Sequence, residues 1–401
     1  MDLTGTVREA DCDWILYDYD GAREAFGPAV LGPALPEPFT MWRYAALLPL
    51  DDGPVRYPLP VGGTPLLPVP ALRAATTLPK LWVKDETRNP SASNKDRATA
   101  LVLEDGLRRG LDTMTTASTG NAAISTAIGA AAAGARAVIF VSTGCQPEKL
   151  ALMAQAGAWV FRVPQGYAAA VDLSRRAAAR FGWLDRNTGA NPLTLEAKKT
   201  VAFEVWEQLG RTVPDVMVAP VGDGPTLVAL DKGFGELVAC GLADRRPRLI
   251  GVQAEHCQPL VRAWRGESAG PADLDLAATS ADGIAVLRPA IGDAVLATIR
   301  RTDGAMVAVS EDALFDAVEM LAARAGVGAE PAGAASLAGV LAAREAGEVD
   351  GSDRVVLLVT GRETKAAGRP PALDRVATAQ TLDDVDRALG GVDRSSADGA
   401  P

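Results

Sequence analysis

The 401-residue chain contains one histidine, His256, and no Gly-x-Ser-x-Gly segment, so a histidine-based hydrolytic triad is not indicated. Cysteine is scarce as well. Cys12, Cys145, Cys240 and Cys257 are scattered without a Cys-x-x-Cys pair, which argues against a disulfide framework or a thiolate zinc site and makes reduced thiols in a cytoplasmic protein the default. Basic residues do not predominate. With 40 Lys+Arg against 50 Asp+Glu the formal net charge is −10, so the basic patch that nucleic acid requires is missing and the excess acid reads as solubility. The N-terminus, MDLTGTVREADCDW, lacks the basic-then-apolar layout of a secretory signal. The most apolar run, residues 122–142, is alanine-rich and broken by Gly129, Gly134 and Arg136; a packed helix followed by a buried strand fits it better than a membrane span.

What is present suits an ordinary globular protein: 48% of residues are hydrophobic, and the length allows two domains. Short apolar runs at 137–141, 159–163, 216–219, 249–253 and 355–359 have the flanks of buried central strands. Helical segments at 147–156, closed by Gly157, and at 167–181 alternate with them. That alternation predicts an α/β fold with parallel-rich sheets covered by helices. Residues 27–39, rich in Pro and Gly, read as a surface connection, and residues 1–40 as an extension whose Trp14, Tyr17, Tyr19 and Phe26 dock on the body. From Asp374 to residue 401 the chain is acidic and ends in SSADGAP, the composition of a tail expected to fray. No internal repeat is visible.

Five segments carry candidate chemistry. Residues 84–97 read KDETRNPSASNKDR: a strand-like LWV leads to a turn at Asn89-Pro90, then to Lys95 at the mouth of a helix predicted over 96–109. Taken alone, a lysine among acids is more often a solvated surface group; a desolvated one can form a Schiff base. Val221-Gly222-Asp223-Gly224-Pro225-Thr226 follows a strand and opens a helix, a turn that can gather N–H groups around an anion, although such turns are common without a ligand. Ser118-Thr119-Gly120-Asn121 opens the alanine-rich helix and reads either as a carboxylate site or as a plain N-cap. Thr360-Gly361 follows the last buried strand, where the threonine can be a cap, and Glu330-Pro331 begins a run of small residues suited to close helix packing.

Taken together, Ser93-Asn94-Lys95-Asp96-Arg97, Ser118-Thr119-Gly120-Asn121-Ala122-Ala123, Val221-Gly222-Asp223-Gly224 and Glu330-Pro331-Ala332-Gly333-Ala334-Ala335-Ser336, flanked by Gly63-Thr64-Pro65-Leu66 and Thr360-Gly361, resemble the ordered motifs of the threonine synthases and their relatives. These are pyridoxal-phosphate enzymes of the tryptophan-synthase-β fold type, fold type II. The resemblance covers residues 60–365 or so. It implies a large cofactor-binding domain of residues 41–111 and 191–373, a small mobile domain of 112–190, the cofactor in the cleft between them, and a homodimer. It assigns Lys95 as the cofactor lysine and base, and Gly222, Asp223, Gly224 and Thr226 as the phosphate loop. By the same resemblance Asn121 is expected to face the phenolic oxygen, Thr360 the pyridine nitrogen, and Glu330 to lie near the cofactor. Ser118, Thr119 and Gly120 take the substrate carboxylate, and Lys84 and Thr194 lie near the substrate's distal group.

The chain also departs from that pattern. Asn94 stands where phenylalanine is usual, and Pro225, without an N–H, where a second glycine is frequent. Thr194, in Asn191-Pro192-Leu193-Thr194-Leu195-Glu196, replaces the arginine that grips the phosphate of O-phosphohomoserine, which threonine replaces poorly. The implied reaction is elimination or replacement at the β- or γ-carbon of an amino acid, with O-phosphohomoserine converted to threonine and phosphate as its leading form. A relative acting on a non-phosphorylated activated amino acid, or a non-catalytic cofactor-binding scaffold, are the alternatives.

Overall fold

The computed structural model describes residues 5–9, 12–16, 35, 37–188, 190–267, 279–364 and 374–397. Tyr17, Tyr19 and Phe26, expected to dock, lie outside the described residues, as does most of the 27–39 connection.

In chain order, strands β1 (Gly5–Glu9) and β2 (Cys12–Leu16) pair antiparallel. Then come β3 (Leu66–Leu67), α1 (Pro70–Thr76), β4 (Leu81–Asp85) and α2 (Lys95–Arg108). The central stretch runs β5 (Thr113–Ala117), α3 (Asn121–Ala132), β6 (Arg136–Ser142), α4 (Pro147–Gln155), β7 (Trp159–Val163), α5 (Tyr167–Phe181), β8 (Leu184–Asp185) and α6 (Leu193–Gln208). After it follow β9 (Val216–Pro220), α7 (Pro225–Ala239), β10 (Arg248–Ala254), α8 (Pro259–Trp264), α9 (Gly292–Arg301), β11 (Ala305–Val309), α10 (Glu311–Ala325), α11 (Pro331–Glu345), β12 (Val355–Val359), β13 (Val376–Thr378) and α12 (Leu382–Ala397). Among the described residues no helix is long and apolar enough to cross a membrane.

The chain divides into two compact units. The first, Met1–Gly53 with Pro60–Ala98 and Pro192–Glu363, holds a six-stranded sheet in the order β11-β10-β9-β12-β4-β3, parallel except for the short β3 at its edge. Its central strands are apolar at every position because both faces are covered. Side chains alternate between faces: Met217 and Ala219 of β9 meet α6, α7 and α9, whereas Val216 and Val218 meet α1, α10 and α11.

The second unit, Pro54–Leu59 with Thr99–Asn191 and Thr364–Pro401, holds a five-stranded parallel sheet, β13-β7-β6-β5-β8. Phe140 and Phe161 pack with α5 on one face, Ile139 and Val160 with α3 and α4 on the other. The segment from Asp374 onward, expected to fray, supplies β13 and α12, and Val385 and Leu389 of α12 are buried in this core. The cause is an apolar spacing of Leu382, Val385 and Leu389 inside the acidic composition.

A closed cluster of charges lies in the core of the first unit. The Arg97 guanidinium, fully buried, donates through Nε and Nη2 to Glu86 at 2.6 Å each and through Nη1 and Nη2 to Glu204 at 2.6 and 2.9 Å. Nη1 also donates to Thr200 Oγ1 at 2.9 Å. Lys84 donates to Glu204 at 2.6 Å, to the Thr64 carbonyl at 2.6 Å and to Gln208 Oε1 at 2.9 Å. Thr64 Oγ1 in turn donates to Glu86 at 2.6 Å, so the Gly63-Thr64 motif is part of the cluster. Gly62, at φ +75, passes so close that a Cβ there would lie 2.7 Å from both Arg97 Nη1 and Glu204 Oε1.

Two cations and two carboxylates balance in charge, and each guanidinium nitrogen finds an acceptor, which is the condition under which buried ions are tolerated. Burial alone would push the Glu204 carboxyl up, but Arg97 and Lys84 outweigh it and hold it at about 2. A folded value below the ordinary one contributes stability that is fully present above about pH 4.5 and is lost as pH falls towards 2. Chemical denaturation of the wild-type protein should therefore show a steep stability loss below pH 4.5, on the order of 2–3 kcal/mol of it absent in Glu204→Gln. A variant with the same acid slope as wild type contradicts the assignment. A second expectation concerns the crossing of α6 and α7: a Cβ on Gly233 would sit 2.6 Å from the Lys199 carbonyl oxygen, so Gly233→Ala should cost about 1–3 kcal/mol, read as a lower thermal midpoint.

Candidate active site

Strands β9, β12 and β4 are neighbours in the first unit's sheet, and the loops that leave their carboxyl ends carry the sequence motifs. Parallel strands place ligand loops at that end, where helix N-termini follow.

The loop after β4 is tied down residue by residue. A short helical turn, Glu86–Arg88, ends at Asn89. The Ser91 N–H and hydroxyl both donate to the Asp96 carboxylate at 2.6 Å, closing the turn across the lysine. Ala92 adopts φ +62, a left-handed conformation costly for a residue with a Cβ, and its carbonyl accepts from the Arg362 N–H at 3.1 Å. Ser93 bridges Gly361, and the Asn94 N–H donates to the Thr360 carbonyl at 2.8 Å. Lys95 therefore begins α2 with its backbone fixed, and its half-buried ammonium donates to Asn94 Oδ1 at 2.9 Å.

The loop after β9 turns at Gly224, the N-cap of α7, with φ +98; a Cβ there would meet Val295 Cγ2 at 2.1 Å. Pro225 stands at the first helical position, where a missing N–H costs no intrahelical bond, and Thr226 and Leu227 supply first-turn N–H groups with no intrahelical acceptor. Asn94 Nδ2 donates to Thr226 Oγ1 at 3.4 Å, so one amide spans Lys95 and this loop. A Cβ on Gly222 would approach the Gly283 carbonyl oxygen to 3.2 Å. Burial pushes the Asp223 carboxyl above its ordinary range, against the Ala290 N–H, which donates to it at 3.3 Å, and the ammonium groups of Lys198 and Lys95.

The loop after β12 places Thr360, buried, beside Asn94. Glu330, buried at the head of α11, donates its N–H to the Gly361 carbonyl at 3.1 Å. A Cβ on Gly333 would lie 2.4 Å from the same oxygen, so the small residues of this motif serve close approach to the Thr360-Gly361 loop.

In the second unit, the loop after β5 carries Ser118, Thr119 and Gly120 to the start of α3 at Asn121, all four half-buried. The Ser118 N–H donates to the Phe140 carbonyl at 3.1 Å, and the Ser118 hydroxyl accepts from the Gly120 N–H at 3.2 Å. The result is a helix start suited to a carboxylate.

Two expected positions fall elsewhere. Lys84, placed by sequence near the substrate, is wholly buried with its three N–H donors taken by Glu204, Thr64 and Gln208; burial pulls its ammonium below its ordinary value despite Glu204. Thr194, buried in the first turn of α6, is ten residues from the Glu204 that Lys84 binds, about 15 Å along the helix, so the two do not build one pocket. His256 is exposed in the turn after β10. Sequence reasoning passed over Asn94 as a polar group in its own right, and over Lys198, buried one helical turn beyond Thr194. Both were visible, Asn94 as a change of residue type and Lys198 through its spacing of four from Thr194.

Comparison with known proteins identifies the family. The family of pyridoxal-phosphate dependent enzymes matches residues 57–361. The threonine synthase of Methanocaldococcus jannaschii is 32% identical over 356 residues, 88% of this chain and 86% of that protein. The threonine synthase of Mycobacterium tuberculosis (strain H37Rv) is 34% identical over 336 residues, covering 82% and 89%. Among solved structures, threonine deaminase isoform 2 from Solanum lycopersicum gives a TM-score of 0.63 at 21% identity over 75% of this chain and 84% of that one. Maize serine racemase gives 0.64 at 19% over 75% and 88%, so these two speak for the fold.

The donor set in hand fits the cofactor. Its phosphate requires converging N–H groups, which Gly224 and the first turn of α7 present beside the Thr226 hydroxyl. Its aldehyde requires a held amine, and Lys95 Nζ is one; its ring nitrogen requires a buried polar partner, and the Thr360 hydroxyl is of that kind. The chain belongs to the pyridoxal-phosphate-dependent enzymes of fold type II, a lyase similar to the threonine synthases with pyridoxal 5'-phosphate as its cofactor.

Proposed function

We propose that this enzyme converts O-phosphohomoserine and water to threonine and phosphate, with Lys95 as the cofactor lysine and as the base that moves the substrate's α-proton. The observation that carries the reading is 31–34% identity to threonine synthases from archaea and bacteria over about 80% of the chain or more. When bound, pyridoxal phosphate captures the substrate amine at its aldehyde and draws electron density from the α-carbon into its ring. The chain's own residues do the rest. The Thr226 and Leu227 N–H groups, with the Thr226 hydroxyl, hold the phosphate. Thr360 offers the ring nitrogen a neutral hydroxyl, which cannot keep that nitrogen protonated as a carboxylate would, and so favours elimination and replacement over transamination. Ser118, Thr119 and Gly120 take the α-carboxylate at the start of α3, with Asn121 towards the phenolic oxygen. Lys95 Nζ, neutral once displaced by the substrate amine, accepts the Cα proton and returns it further along the chain.

A second reading, a non-phosphorylated β- or γ-activated amino acid as substrate, is favoured by Thr194: its hydroxyl replaces an arginine fork, and Lys84 is committed to the core. Each charge-assisted hydrogen bond lost is worth roughly 1.5–3 kcal/mol, or about tenfold or more in use of a phosphorylated substrate.

Two measurements decide between these ideas. Purified holoenzyme should show a visible absorption band that Lys95→Ala abolishes; a band that survives the substitution removes Lys95 from its role. Threonine and phosphate should be released from O-phosphohomoserine faster than any product from O-acetylhomoserine, O-acetylserine, O-phosphoserine or serine, and Thr194→Arg should raise kcat/KM for O-phosphohomoserine about tenfold. Preference for an uncharged leaving group establishes the second reading instead.

A further inference from the structure

The residue that departs from the usual motif next to the lysine also accepts a hydrogen bond from its amine. Asn94 is 2% exposed, and three of its polar groups are engaged. Its N–H donates to the Thr360 carbonyl at 2.8 Å, its Nδ2 donates to Thr226 Oγ1 at 3.4 Å, and its Oδ1 accepts from Lys95 Nζ at 2.9 Å. It thereby connects the loops after β4, β9 and β12, with its one side-chain acceptor aimed at the amine. Phenylalanine, which the related motif carries here, has neither donor nor acceptor and could make none of the side-chain bonds.

We propose that Asn94 is a positioning residue for Lys95: its amide oxygen holds the lysine amine in one orientation whenever that amine is not bonded to the cofactor, and anchors it to the phosphate loop through Thr226. The proposal rests on Lys95 being the cofactor lysine. An amide oxygen accepts more strongly from an ammonium than from an amine, so the contact favours the protonated lysine and sets the pH at which the neutral, reactive form appears.

The other charges around Lys95 are distinguishable from this contact. Asp96 is engaged by Ser91, and Arg97 by Glu86 and Glu204. Asp223, after β9, interacts with Lys95 and with Lys198 of α6. Glu330 at the head of α11 and Arg362 after β12 border the same loops. None of these changes in a variant at position 94.

The test is the pH dependence with which apoprotein captures added pyridoxal phosphate, followed as growth of the visible band, since only the neutral amine attacks the aldehyde. In Asn94→Ala the midpoint of the capture rate should move down by about one pH unit, and in Asn94→Asp, where a carboxylate faces the ammonium, up by about one unit. The acid limb of the kcat profile should move in the same directions. A general loosening of the fold would not produce opposite shifts. Midpoints that fail to separate in opposite directions overturn the proposal. Should the alanine variant fail to fold, Asn94→Asp decides alone: an upward shift is expected, and its absence overturns the inference. A band that persists in Lys95→Ala overturns the underlying assignment of the lysine instead.

Discussion

The salt-bridged fork of Arg97 is the constraint on which the geometry of the first unit's site depends. Two residues beyond Lys95, its guanidinium is locked between Glu86, from the turn after β4, and Glu204, from α6. A planar group with five N–H donors fixes its backbone in a way that a lysine's single ammonium would not. With Asp96 drawn back onto Ser91 from the other side, the first turn of α2 cannot rotate, and the Lys95 side chain leaves it in one direction. Removing one partner would leave an uncompensated charge in the core, far costlier than the net worth of the cluster. Its service is therefore geometric.

Fixing a backbone does not fix a side chain. Lysine has four rotatable bonds and loses roughly 2 kcal/mol of rotamer freedom when held. The last bond is addressed by Asn94, which stands on the same rigid turn and whose amide also reaches Thr226. Lys95 is held through its main chain by ion pairs and through its amine by a neutral amide, which leaves the amine able to give up its proton. A carboxylate at position 94 would hold it harder and hinder the release that proton transfer needs.

Much of this was legible in the sequence. The strands at 159–163 and 355–359 and the helix at 167–181 match their observed bounds, because predominantly apolar five-residue runs and a helix-length segment closed by Gly182 leave few alternatives. The glycine loop was readable too, since only a residue without a Cβ tolerates φ +98 against Val295. Lys84 was expected near the substrate's distal group because its segment resembles the family's; its acceptors come from Thr64, Glu204 and Gln208, as far as 124 positions away, which no local pattern reveals. The segment after Asp374 was misjudged for a related reason. Its charge dominates the composition, whereas three apolar residues at helical spacing decide where it packs.

The positions that depart from the family pattern share one kind of change, a redistribution of polarity around the anion loop. Asn94 adds an amide beside Lys95 and Thr226, Pro225 removes an N–H from the first turn of α7, and Thr194 removes a guanidinium from the first turn of α6. Asp223 places a carboxyl in the glycine turn that opens α7, where a full negative charge would oppose any anionic ligand. Burial raises its pKa, and the ammonium of Lys198 acts on it from α6, one turn beyond Thr194. A cation at 198 thus offsets an acid at 223 that a neutral loop would not contain.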